Sequence, residues 1–90
     1  MWSSPREQYR KQKSNAKSRG ILFRLTFDQW WAIWKESGMY ERRGRGRRGF
    51  VMHRFGDSGP YEVGNVEIIS ASDNFREAME AHYIGERNYL

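Results

Sequence analysis

The chain is predicted to fold as one small α+β domain: a ββα core, preceded by an aromatic-rich helix and a basic N-terminal helix. Three observations carry this. Phe27, Trp30, Trp31 and Trp34 recur at helical spacing between Thr26 and Gly38. Phe50-Val51-Met52-His53-Arg54 reads as a strand with alternating faces. Asn65-Val66-Glu67-Ile68-Ile69 reads as its return strand, after a loop punctuated by Gly56, Gly59, Pro60 and Gly64 and before a helix start at Ser70 or Ser72.

Ninety residues make a single domain with a modest core, and 4 Trp, 5 Tyr and 5 Phe supply that core more than aliphatics do. Cysteine is absent, which excludes a disulfide framework and the Cys-rich zinc sites of many small modules, so no structural zinc is expected. No apolar run approaches the length of a membrane span, and the basic N-terminus lacks a following apolar region, so no membrane partner and a cytoplasmic location are expected. The net charge of +5 is unevenly spread. Residues 1–49 hold 13 Lys/Arg against 4 Asp/Glu, whereas residues 50–90 hold 3 against 7. The basic half therefore reads as a face for a polyanion.

In chain order, residues 1–19 form a basic N-terminal helix or arm, and residues 20–90 the domain proper, with its ββα core at about 49–84. Ser4-Pro5 reads as a cap and first helical residue. Arg6, Arg10, Lys13 and Lys17 then share one helix face, and Arg19-Gly20 closes the segment. Only Tyr9 and Ala16 offer apolar contact, so this helix is expected to order fully only on a phosphate backbone. Residues 21–25 read as extended. Thr26 with Gln29 makes a capping box for the aromatic helix, which Gly38 ends. Its aromatic face reads as core rather than as a stacking platform for bases, because aromatics at helical period are usually buried. Arg42, Arg43, Arg45, Arg47 and Arg48 follow, interleaved with glycines. This loop is expected to form no stable element and to clamp a nucleic-acid backbone, its guanidinium groups binding phosphate oxygens in pairs. Beyond the second strand, Asp73 falls in the first turn of the last helix, where Phe75, Ala78, Met79, His82 and Tyr83 are expected to make a buried stripe.

The run from Met52 to Val66, with Asn74 nine residues after Asn65, resembles the ββα core of the HNH (His-Me finger) nucleases, in the small variants common among phage proteins. The resemblance covers roughly residues 20 to 80. It implies a His general base on the first strand, a positioning Asn opening the second, and one divalent metal, Mg²⁺ or Mn²⁺, held partly from the helix. Carried onto this chain, Asn65 takes the positioning role and Asn74 the helix ligand, with Asp73 as a further metal donor. Two alignments of the first strand stay open. In one, His53 is the base and Met52 stands where an Asp would bind metal. In the other, His53 takes the metal-binding place and Arg54 that of the base, where a guanidinium can hold the scissile phosphate but cannot accept a proton.

Non-catalytic roles compete at each position. Asn65 bridging its own loop, Asn74 serving the helix start and Arg54 pairing with Asp57 would all be purely structural. The function expected is nucleic-acid binding, DNA first and RNA second, with metal-dependent phosphodiester hydrolysis by an HNH-like phage protein in the cytoplasm of a bacterial host. The alternatives are an HNH fold kept for binding alone, and a phage protein that binds and inhibits a host protein, for which an exposed Trp patch would speak. Nothing in the residues fixes the oligomeric state.

Overall fold

A computed structural model of the chain describes residues 4–44, 46 and 48–76. It is a small α+β arrangement: helices α1 (Pro5–Ser18) and α2 (Phe27–Ser37), strands β1 (Phe50–Arg54) and β2 (Val66–Ser70), and the helical residues 71–76. The strands pair antiparallel, with Phe50 opposite Ser70 and Arg54 opposite Val66. Strand, loop, strand and helix follow one another in an order compatible with a ββα unit. Among the described residues no helix is long and apolar enough to cross a membrane.

Local chemistry sets the element ends. Ser4 Oγ accepts the Glu7 N–H at the start of α1, with Pro5 as the first helical residue. Thr26 and Gln29 exchange reciprocal bonds at the start of α2, and Gly38 closes it in the left-handed conformation. Ser70 Oγ accepts from the Asp73 N–H, which selects Ser70 over Ser72 as the last cap.

The core lies where α1, α2 and the sheet meet, on Ala16, Leu25, Trp30, Trp34, Met52 and Tyr61. Trp30 and Trp34 are almost fully enclosed, so the aromatic face of α2 is core and offers no exposed Trp patch. Tyr9 fits edge-on against Phe23, Phe27 and Trp30. Its hydroxyl donates to the Leu25 carbonyl at 2.6 Å, while Gln12 Oε1 accepts from Trp30 Nε1 at 2.8 Å. These contacts correct the expectation that α1 has too little to bury to order by itself. Tyr9, Gln12 and Ala16 form one inward edge, and polar Gln12 anchors the helix as much as the apolar residues do.

Residues 21–25 are extended, as expected, because they receive the β1–β2 loop: Tyr61 N–H donates to the Leu22 carbonyl and Arg24 N–H to the Tyr61 carbonyl. The described ends of the arginine loop form more structure than predicted. Tyr40–Arg42 is a 3₁₀ turn, Arg43 bridges to Phe50, and the Gly44 N–H donates to the Phe50 carbonyl. A Cβ at Gly49 would collide with the Gly44 carbonyl, so the two ends of the loop close only over glycine. The buried stripe expected on the last helix is not borne out at Phe75, which is 68% exposed. Ala78, Met79, His82 and Tyr83 lie outside the described residues.

Candidate functional site

β1 ends in two buried polar side chains, His53 at 7% and Arg54 at 8% exposure. Alternation along the strand sends them to opposite faces. His53 points to the side away from Met52, and the register places Glu67 of β2 directly across from it. Glu67 Oε1 lies 2.8 Å from His53 Nε2. An ionised carboxylate only accepts hydrogen bonds, so Nε2 carries the proton and the ring is held in one orientation. Phe55 packs its ring edge-on against the imidazole.

Arg54 turns into the loop that follows. Its Nη1 donates to the Gly59 carbonyl at 2.7 Å, its Nη2 to Asp57 Oδ1 at 3.0 Å, and the guanidinium lies over the Tyr61 ring. Asn65 completes this staple, its Nδ2 donating to the Ser58 and Pro60 carbonyls at 2.9 and 2.8 Å. A Cβ at Gly59, where φ is +76°, would sit 3.0 Å from that nitrogen. Both Arg54 Nη atoms and Asn65 Nδ2 thus help close the loop, the structural role each residue had as an alternative, while Arg54 Nε is buried without a partner among the described residues. Met52 belongs to the core.

Asp73 and Asn74 occupy the first turn after β2, and both are exposed. Asp73 faces Arg76 at 3.8 Å. Among the described residues no three His, Asp or Glu side chains converge as a metal site. With His53 Nε2 bonded to Glu67 and the other two donors in solvent, His53, Asp73 and Asn74 do not fit a preformed metal centre.

The predicted cationic residues divide into sets. Arg6, Arg10, Lys13 and Lys17 are all exposed on α1, and Arg6 stacks on the Phe27 ring at 4.3 Å. No ion pair engages any of the four among the described residues. Arg19, Arg42 and Arg48 are also exposed. Arg43 is different: it folds over the Tyr40 ring at 4.3 Å and bonds the Tyr40 carbonyl. It is a fixed cation rather than part of a loose clamp. Arg45 and Arg47 lie outside the described residues.

Two residues escaped the sequence reading. Glu67 becomes visible only with the strand register. That register sets Arg54 opposite Val66 and His53 opposite Glu67, and no single residue of either strand announces it. Lys11 was passed over because it lies off the four-residue stripe. Compared with protein-family models, with known proteins and with solved structures, the chain matches none.

Proposed function

We propose that the protein binds nucleic acid, DNA in the first instance, through the phosphate backbone and along the outer face of α1. The supporting observation is the row Arg6, Arg10, Lys13 and Lys17. Its members are exposed, free of ion pairs among the described residues, and borne on a helix fixed to the core through Tyr9, Gln12 and Ala16. Cations on a helix already docked to the core need no backbone ordering when they meet phosphates, and they displace the phosphates' counterions. The test is fluorescence anisotropy with a labelled duplex over a salt series. Affinity that falls steeply as salt rises supports the reading. Absence of binding at low salt, or affinity indifferent to salt, overturns it.

A second reading, HNH-type phosphodiester hydrolysis within a ββα core, is favoured by the His53–Glu67 pair. A buried imidazole oriented by a carboxylate is the arrangement a general base uses. In a phage-type protein in bacterial cytoplasm the substrate would be DNA. A divalent ion would supply charge stabilisation for the leaving oxygen, though the donors among the described residues make no preformed site for it. The check is supercoiled plasmid incubated with Mg²⁺, with Mn²⁺ and with chelator. Metal-dependent nicking by the wild type, lost in His53→Ala, establishes hydrolysis. Intact plasmid alongside a salt-sensitive shift leaves binding as the function.

A further inference from the structure

α1 has a second charged flank that the backbone-binding stripe does not use. At about 100° per residue, Gln8, Lys11, Asn15 and Arg19 lie roughly opposite Arg6, Arg10, Lys13 and Lys17 around the helix. They wall a cleft of about 470 Å³ between α1, the start of the arginine loop and β1. That volume is too large for a bare phosphate and falls in the usual range for a small organic ligand.

Three kinds of group line it. Lys11 and Arg19 on one side and Arg43 on the other are cations, and no described lining residue is acidic. Arg43 is already held in place over Tyr40. Gln8, Gln12 and Asn15 add carboxamides. Gln12 is oriented by its bond from Trp30, which commits its oxygen and leaves its nitrogen to donate. Trp34, Met52 and Tyr61 supply apolar surface, and Trp34 keeps a buried indole N–H with no hydrogen-bond partner. An anion-binding rim beside a row of amides and an apolar floor matches a phosphate joined to a nucleoside base.

We infer that this cleft takes one nucleoside 5′-phosphate unit, its phosphate on Lys11, Arg19 and Arg43 and its base between the amide wall and the apolar floor. The inference rests on the nucleic-acid reading above and extends it to unpaired nucleotides, because a base stacked within a duplex cannot enter. The same chemistry has two sources, a free monophosphate or an unpaired residue of a strand.

The experiment compares Lys11→Glu with Lys13→Glu, which change the net charge equally on opposite flanks of one helix. Each is titrated calorimetrically with nucleoside 5′-monophosphates, with a single-stranded oligonucleotide and with a duplex. The Trp34 indole N–H resonance is followed in parallel. Lys11→Glu is expected to weaken monophosphate or single-strand binding by about tenfold or more and to leave duplex binding within about threefold, with Lys13→Glu doing the reverse. The Trp34 resonance of the wild type should move with the same ligands. Monophosphate binding lost in Lys11→Glu assigns a free nucleotide as sufficient; loss confined to the oligonucleotide assigns a strand. Equal effects of the two variants, with duplex binding intact and Trp34 unmoved, overturn the cleft but not the nucleic-acid reading. No binding to any of the three ligands overturns both.

Discussion

The Asn65 carboxamide donates to two carbonyls of its own loop, and both bonds vanish if the donor nitrogen becomes an oxygen. Asn65→Asp keeps the shape but faces a carboxylate against the Ser58 and Pro60 carbonyls. A loss of about 2 kcal/mol is expected, two hydrogen bonds at roughly 1 kcal/mol each. It should appear as a lower urea midpoint at unchanged slope. An Asn65 that served only a ligand would leave the midpoint where it was. Glu67→Ala acts on the other face of β1 by removing the carboxylate from a nearly buried imidazole. Glu67 is itself half-exposed, so screening trims the effect, and about 1 kcal/mol of destabilisation is expected. Glu67→Gln, which can still accept from Nε2, should recover most of it in the same urea titration. If neither variant moves the midpoint, the pair contributes nothing to stability.

At the scale of elements, capping was legible because its signals are local. Ser4-Pro5, the Thr26–Gln29 box and Gly38 each act within a few residues of themselves. What depends on tertiary partners was not. Composition made α1 look able to bury only Tyr9 and Ala16, yet the Tyr9 hydroxyl also reaches the Leu25 carbonyl and Gln12 reaches the indole of Trp30. A polar residue that finds its partner 18 positions away leaves no periodic trace. The His53–Glu67 pairing was hidden for a similar reason, since a one-residue slip of register between β1 and β2 exchanges every cross-strand partner. The exposure of Phe75 shows the converse, an apolar residue at helical spacing that the fold leaves outside. Docking of α1 can be tested through Tyr9→Ala, which removes the ring from three aromatic neighbours together with its hydrogen bond. A loss of about 3 kcal/mol or more is expected for truncating a large aromatic in a packed cluster. Amide exchange across α1 should accelerate more than exchange across β1 and β2. Equal acceleration everywhere would mean that α1 does not open separately from the rest.

For the molecule as a whole, the net charge of +5 understates the field a polyanion would meet, because the basic and acidic residues lie in different halves of the chain. On the proposed reading, attraction is concentrated at α1, and a nucleic acid that meets the four stripe cations displaces counterions from about as many phosphates. Four such contacts predict a plot of log K against log salt with a slope of about −3.6, since each B-DNA phosphate contributes roughly −0.9. Arg10 and Lys13 sit in the middle of the stripe, exposed and without ion pairs among the described residues, so exchanging them leaves the core untouched. The Arg10→Ala/Lys13→Ala pair should therefore flatten the slope by about 1.8 while leaving the free energy of unfolding in urea within about 0.5 kcal/mol of wild type. Both quantities are needed, because weaker binding alone could follow from partial unfolding, whereas a change in slope counts phosphates. An unchanged slope with weakened binding would move the contact surface off this flank of α1. An unchanged slope with unchanged affinity would leave the stripe as an ordinary solvated face and remove the main support for nucleic-acid binding.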